Sequence, residues 1–248
     1  MQGLQDHPLW IALQPIVDLH TSTVIGHEAL LRSRSNSPEM PETLFNTAAR
    51  DGHLAELEER ARRLALDRVT ELPADQKLFL NICTGCLDIP VQPQSTIDPQ
   101  RIVLELSERH AVVDNARLIK QVRTWRAEGY LIALDDYGVG YMGPGAVLVL
   151  KPHIIKLDRV LIAGIDHDPR RQTMLHNIQQ LTNELGIVPI AEGIETPEEL
   201  AYLGDAGIRY GQGYLLGRPD KRPQTQATCP SPRTAFVGGP TDSQTTSI

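Results

Sequence analysis

Between Lys77 and Glu192 the chain repeats one arrangement, a short apolar run followed by a turn and then a helical pattern. The runs are KLFLNI (Lys77–Ile82), RIVLEL (Arg101–Leu106), YLIALD (Tyr130–Asp135), HIIKLD (His153–Asp158) and IVPIAE (Ile187–Glu192). Near-continuous apolar runs of this length, bounded by turn residues, are expected of strands covered on both faces, as in a parallel sheet. The intervening helices carry their own punctuation. Asp114 is placed to cap a helix with Leu118, Val122 and Trp125 on one stripe and Gly129 at its close. Met174, Ile178, Leu181 and Leu185 repeat the pattern before Gly186, and Leu54, Leu57, Ala61, Leu64 and Leu72 mark another amphipathic stretch. TPEE (Thr196–Glu199) combines a capping threonine, a first-turn proline and a glutamate three residues on, which is a capping box. Asp166–Arg171 (DHDPRR) reads as a helix start, not as a charged site.

The beginning departs from this pattern. WIALQPIVDL (Trp10–Leu19) and TVIGHEALL (Thr23–Leu31) both read as strands, yet only a few residues separate them. A parallel crossover needs a dozen residues or more, so these two must pair antiparallel. Together with the later runs and a last short segment near IRYGQGY, they favour an α/β fold: a modified TIM (β/α)8-type barrel with an antiparallel first strand. An open doubly wound sheet satisfies the same pattern. From Lys221 the chain becomes rich in Pro, Thr, Ser, Gln and Gly without apolar periodicity, so residues 1–220 are expected to form the barrel and residues 221–248 a disordered tail. No sensory, cyclase or receiver segment fits before Trp10 or after Pro219, which gives the expectation of a protein either free-standing or regulated by partners and substrate level.

Each parallel run ends in or near a polar side chain: Asn81, Glu105, Asp135, Lys156 and Glu192, joined by Glu28 in the second strand and Gln212 after the last. A charged residue that finishes one strand is usually just entering solvent. In a parallel barrel, however, all such ends gather at one mouth, where active sites of this architecture lie. LIALDDYGVG (Leu131–Gly140) adds a second carboxylate, Asp136, beside Asp135. Adjacent carboxylates repel, and side chains alternate along a strand, but where the strand breaks both aspartates can turn toward the mouth. Such an all-oxygen set suits hard divalent cations. Two such ions about 3.5–4 Å apart form a clamp for phosphodiester hydrolysis, with Lys156 available to orient the nucleophile or stabilise charge.

Bulk properties narrow the partners. A formal charge of −7 without a long basic run argues against a duplex nucleic-acid surface. No apolar stretch long enough for a membrane span and no signal-peptide pattern is present, so a cytoplasmic protein that does not enter membranes is expected. Cys83 and Cys86 form a C-x-x-C that could serve as a redox pair or half a zinc site; the plainer reading is two small residues at a turn, with Cys229 in the tail. His27 and His110 lack metal-ligand spacing and read as packing or surface residues.

In order, EALLR (Glu28–Arg32) after LQPIVDL (Leu13–Leu19), LNI (Leu80–Ile82), ELSE (Glu105–Glu108), DDYGVGY (Asp135–Tyr141), IIKLDR (Ile154–Arg159), AEGIET (Ala191–Thr196) and GQGYLLGRP (Gly211–Pro219) stand along the chain. This series resembles the EAL domain, the family of cyclic di-GMP phosphodiesterases, from about Ile11 to Pro219. By position, the resemblance implies that Glu28, Asn81, Glu105 and Asp135 hold one divalent cation, Mg²⁺ or Mn²⁺, and that Asp135 and Asp136, with Glu192 nearby, hold a second. It gives catalytic roles to Lys156, Glu192 and Glu28, with Lys156 on the catalytic water. Substrate contacts would come from Gln14, Leu30, Arg32, Glu195 and Gln212, and Glu108 would anchor the loop after Asp136. The implied reaction opens cyclic di-GMP to linear pGpG in a homodimer. Tyr137 and Val139 depart from the family's usual DDFGTG, and MGPG (Met142–Gly145) follows Tyr141, which bears on regulation more than on chemistry. The alternatives are a non-catalytic cyclic di-GMP receptor that signals through a protein partner, and a barrel acting on another phosphodiester. Degenerate family members lose acidic ligands, whereas this chain keeps the full set, so catalysis is favoured.

Overall fold

The short turn between the first two strands determines how the sheet closes. In a computed structural model, which describes residues 9–33, 41–91, 96–107, 115–139 and 143–228, β1 (Leu9–Asp18) and β2 (Val24–Ser33) pair antiparallel from Leu9 opposite Ser33 to Val17 opposite Val24. Parallel pairing then runs from β2 through β3 (Lys77–Ile82), β4 (Ile102–Leu106), β5 (Leu131–Tyr137), β6 (Ile154–Leu157) and β7 (Val188–Ala191) to β8 (Tyr210–Gly211). β8 returns to pair antiparallel with β1, closing an eight-stranded barrel and excluding the open sheet. The reversed strand is the first, as the turn length requires.

Helices α1 (Pro41–Arg50), α2 (Leu54–Asp67), α3 (Ala116–Ala127), α4 (Pro144–Leu150), α5 (Arg159–Ile162), α6 (Pro169–Leu185) and α7 (Pro197–Asp205) surround it. Outward-facing strand residues such as Leu78, Leu80, Leu104, Leu106 and Ile132 are buried with helix residues that include Leu57 and Trp125. Full burial of one such side chain contributes about 1.5–3 kcal/mol. Inside the barrel, Ile16, Phe79, Val103, Ala133, Ile154, Val188, Ile190 and Tyr210 form a separate apolar layer. Side chains two apart on a strand share a face. Two residues above that layer stand Asn81, Glu105, Asp135, Lys156, Glu192 and Gln212, and on reversed β1 the equivalent position, two residues earlier, is Gln14. The plug beneath the polar mouth therefore sets its height. Gly26 belongs to this fit, since a Cβ there would lie 2.5 Å from the Lys77 carbonyl and 3.1 Å from the Phe79 ring.

Most helix signals hold, with local shifts. Thr196 and Glu199 form the reciprocal capping box, and Asp168 caps α6 ahead of Pro169. α3 is capped by Asn115, whose side chain accepts from Leu118 N at 3.0 Å; Asp114 lies outside the described residues. On α6 the buried residues are Leu175 and Thr182, while Met174 and Leu185 are exposed, so the inward line sits one residue later than the apolar spacing indicates. Thr182 can occupy the buried line because its hydroxyl donates to the Gln179 carbonyl at 3.0 Å. Leu72 falls beyond α2, after a 3-10 turn at Arg68–Glu71.

Residues 221–228, assigned by composition to a disordered tail, instead follow the barrel wall. Asp220 and Leu13 exchange backbone hydrogen bonds, Thr23 bridges Gln226, and Lys221 Nζ lies 5.2 Å from the Trp10 ring centroid. Gln224 N donates to Nε2 of the fully buried His27 at 3.1 Å, which gives that histidine a packing role. Residues 229–248, Cys229 among them, lie outside the described residues, as does His110.

Asp18 fastens the point where β1 meets β8. Its Oδ1 accepts from His20 N (2.9 Å) and Thr21 N (3.1 Å), and its Oδ2 accepts from Arg209 Nε at 2.9 Å. Burial pushes this carboxyl up, but Arg209 and the two amides more than offset it and hold it below its ordinary 3.8. The stabilisation is therefore present above about pH 3.8 and is lost as pH falls through the lower folded value. Asp18→Asn turns a donor toward Arg209 and is expected to cost about 2–3 kcal/mol in urea unfolding at pH 7. The deficit relative to wild type should narrow at acidic pH; a pH-independent deficit would contradict the role of charge.

Candidate functional site

The acidic pair on β5 is resolved by a break in strand register. Leu134 faces Ile155 and Tyr137 faces Leu157, so three steps on β5 match two on β6. The extra residue is a bulge, which re-aims side chains at a strand end. Asp136 takes φ of +53°, a left-handed conformation that aspartate tolerates better than most residues. As a result Asp135, Asp136 and Glu192 each present an oxygen within 4.8 Å of the others. Gly138 completes the turn at φ +114°, and a Cβ there would meet Leu161 Cδ1 at 2.7 Å. Val139 beyond it is 42% exposed, and Gly143 and Pro144 start α4 without a side-chain cap.

Lys156 lies at the centre of the mouth and is 1% exposed. Its Nζ is 2.7 Å from Glu105 Oε1, 2.7 Å from Glu192 Oε1, 3.0 Å from Asp135 Oδ1 and 3.5 Å from Glu28 Oε2. Four carboxylates thus surround one ammonium, which has only three N–H groups to give. The contacts to Glu105 and Asp135 are close but poorly directed as hydrogen bonds, and Glu105 Oε2 has no hydrogen-bond partner among the described residues. Asn81 Nδ2 donates to Glu28 Oε1 at 3.0 Å and Gln212 Nε2 to Glu28 Oε2 at 2.8 Å, which fixes Glu28 from both sides.

The charges respond to this crowding. Burial pushes Glu28 up, but Lys156 and the two amides outweigh it and leave the carboxyl below its usual value. For Glu105, burial together with Glu28 and Asp135 wins over Lys156 and holds the carboxyl well above the usual range. Burial does the same for Glu192, reinforced by Asp135 and Glu28. Burial alone would strip the proton from Lys156, but Asp135, Glu105, Glu192 and Glu28 reverse this and keep it an ammonium. Negative charge therefore exceeds positive in a buried all-oxygen set that contains an unpartnered carboxylate oxygen. That combination fits hard divalent cations, whose binding would displace protons from the raised carboxyls.

The other sequence-derived residues divide into two groups. Leu30 and Arg32 line a cavity of about 550 Å³ together with Glu28, Asn81, Asp135 and Asp136, and it continues between α1 and α2 past Phe45 and Ala61. Gln14 is buried and donates to the Gly217 carbonyl at 3.2 Å, tying β1 to the segment after β8. Glu195 is not drawn into the cluster: its carboxylate pairs with Arg159 at 2.9 Å. Glu108 lies outside the described residues. Several neighbours were not singled out from sequence. Ser107 lines the cavity, and Arg218 stacks 4.3 Å over the half-exposed Tyr214 ring, although both stand in motifs whose other residues were assigned. Glu58 and Arg62 form a buried ion pair at 2.8 Å on the cavity wall, signalled only by their i, i+4 spacing.

Comparison with known proteins agrees with this fold. The EAL domain family matches residues 2–219, and the chain belongs to that family. It is 30% identical over 240 residues to PdeN of Escherichia coli, a probable cyclic di-GMP phosphodiesterase, spanning 88% of this chain and 45% of that one. A standalone EAL protein from Vibrio cholerae O395, solved in its c-di-GMP-bound form, superposes with a TM-score of 0.75 at 28% identity, covering 89% of this chain and 96% of that one. BlrP1 of Klebsiella pneumoniae, solved as a manganese/cyclic di-GMP complex, gives 0.75 at 27% identity, with 88% and 57% covered. The chain spans less than half the length of the curated relatives it matches. No helix among the described residues is long and apolar enough to cross a membrane.

Removing the central cation should destabilise the fold more than an ordinary surface change. Lys156→Met is expected to lose about 3 kcal/mol in chelator, the usual cost of leaving buried charge unpaired. Saturating Mn²⁺ should recover part of that loss in thermal unfolding. An unchanged melting temperature in chelator would contradict the charge balance described for the mouth.

Proposed function

We propose that the chain is a metal-dependent phosphodiesterase that opens cyclic di-GMP to linear pGpG, acting in the cytoplasm as a homodimer. The observation that carries this reading is the ring of carboxylates around Lys156, in excess of positive charge and bordering a cavity large enough for a small ligand. Membership of the EAL family and the cyclic di-GMP complexes of similar structures support it. Glu28, Asn81, Glu105 and Asp135 would hold one divalent cation, and Asp135, Asp136 and Glu192 a second, Mg²⁺ or Mn²⁺. When bound, these ions supply Lewis acidity that activates water and neutralises charge building on phosphorus.

The protein's own groups prepare the remainder. Asn81 and Gln212 hold Glu28 in one orientation, so its oxygens need not reorganise when the substrate arrives. The Lys156 ammonium directs a water toward phosphorus and faces the charge that grows there. Arg32, on the cavity wall beside Glu28, receives a substrate phosphate, with Leu30 packing next to it. Gln14, Gln212 and Glu195 would add contacts to the substrate, Glu195 from the loop after β7, where Arg159 holds it. Glu108 anchors the loop that follows Asp136.

Incubation with cyclic di-GMP and Mg²⁺ or Mn²⁺, with products separated by chromatography, should yield pGpG. Chelator, Glu28→Ala and Asp136→Asn should each abolish it. Tight binding without product under both ions would instead favour the receptor reading. Lys156→Ala is expected to lower kcat by about 10²–10³ while changing substrate affinity only a few-fold, because its interaction strengthens as charge develops. Equal losses in both would contradict that role.

A further inference from the structure

Directly after β3 the chain turns through Cys83, Thr84, Gly85 and Cys86. The Cys86 amide donates to the Cys83 carbonyl at 3.0 Å, so the two residues close one tight turn. That hydrogen bond keeps their Cα atoms within about 7 Å, inside or near the span a disulfide bridges. Both cysteines are free, and the Cys83 thiol lies near enough to that of Cys86 to act on its charge. Cys86 is buried, whereas Cys83 is partly exposed and lines the cavity that holds Asn81, Asp135 and Asp136. Among the described residues the group spaced to hold a metal is Asp135, Asp136 and Glu192, so the pair has no second half of a zinc site.

We propose that Cys83 and Cys86 are a peroxide-reactive dithiol whose closure into a disulfide weakens the adjacent site. Cys83, reachable through the cavity, is the sulfur that meets the oxidant. Hydrogen peroxide transfers one oxygen to it: the S–O bond forms, the O–O bond breaks, and the departing hydroxide leaves as water with the thiol proton, giving a sulfenic acid. The Cys86 sulfur then attacks Cys83, the S–S bond forms, the S–O bond breaks, and the hydroxyl departs as a second water with the Cys86 proton. In total, two thiols and one hydrogen peroxide give one disulfide and two waters. Burial, with Cys83 beside it, pushes the Cys86 thiol up to about 12, which makes it the poorer of the two at meeting the oxidant first.

The turn is mechanically connected to the mouth. The Cys83 amide donates to Glu58 Oε1 at 3.1 Å, and Glu58 is held by Arg62 at 2.8 Å, so Cys83 is pinned to α2. Two residues upstream, Asn81 donates to Glu28. Drawing the sulfurs to a covalent separation of about 2.05 Å turns both side chains and tightens the turn that lies between those two anchors. Groups that orient metal ligands typically cost about 10–100-fold in affinity when displaced.

The effect on turnover rests on the phosphodiesterase reading, but the sulfur chemistry is measured independently of it. The intact chain carrying Cys229→Ser would be treated with a small excess of hydrogen peroxide, digested with trypsin and weighed. The peptide containing both cysteines should lose two hydrogens, Mn²⁺ affinity measured by calorimetry should fall about tenfold, and dithiothreitol should reverse both. Turnover of cyclic di-GMP should follow Mn²⁺ affinity, and Cys86→Ser should abolish the two-hydrogen loss. An unmodified peptide, one that only gains oxygen, or a disulfide that leaves Mn²⁺ affinity unchanged would overturn the proposal. A reduced protein that binds Mn²⁺ but makes no pGpG would count against the phosphodiesterase reading alone.

Discussion

A single ammonium buried among four carboxylates sets the terms for the whole molecule. Lys156 reaches that position because β6 is a barrel strand on which residues two apart face inward, and Ile154 beneath it belongs to the apolar plug. The same rule brings Glu105 above Val103, Asp135 above Ala133 and Asn81 above Phe79. No two of these strands contribute neighbouring residues in sequence, so only closure of the barrel brings the charges together. Desolvating so much negative charge opposes folding unless cations or protons compensate it. Lys156 supplies one positive charge, and the raised Glu105 and Glu192 carboxyls show where the remaining imbalance falls.

Local irregularities turn this charge cluster into a site. A regular strand would send Asp135 and Asp136 to opposite faces, but the bulge and the left-handed backbone at Asp136 bring both to the mouth. The departures from the family pattern, at Tyr137, at Val139 and at the start of α4, all lie downstream of the acidic pair itself. Asn81 and Gln212 add neutral donors that hold Glu28 without adding charge.

Features governed by strict periodicity or chain length were legible from sequence. The antiparallel first strand followed from a turn too short for a crossover, and the polar mouth followed from where each apolar run ended. The capping box at Thr196–Glu199 stood as residue types at fixed spacing. Other features depended on three-dimensional partners that no local pattern encodes. The inward face of α6 includes Thr182, which reads as polar until its hydroxyl is seen bonding back to the helix. Residues 221–228 are held by backbone hydrogen bonds and isolated polar contacts, so they show no apolar periodicity. Arg159 pairs with Glu195 because β6 and β7 are neighbours in the barrel, and Glu58 supports the turn after β3 from a different helix.

Anomalous scattering from crystals grown with Mn²⁺ tests the central claim most directly. Two manganese peaks are predicted, one bounded by Asp135, Asp136 and Glu192 and the other by Glu28, Asn81, Glu105 and Asp135, with the Lys156 ammonium drawn away from oxygens that the ions take. A saturated crystal with no peak at the mouth, and the four carboxylates still gathered on Lys156, would contradict it.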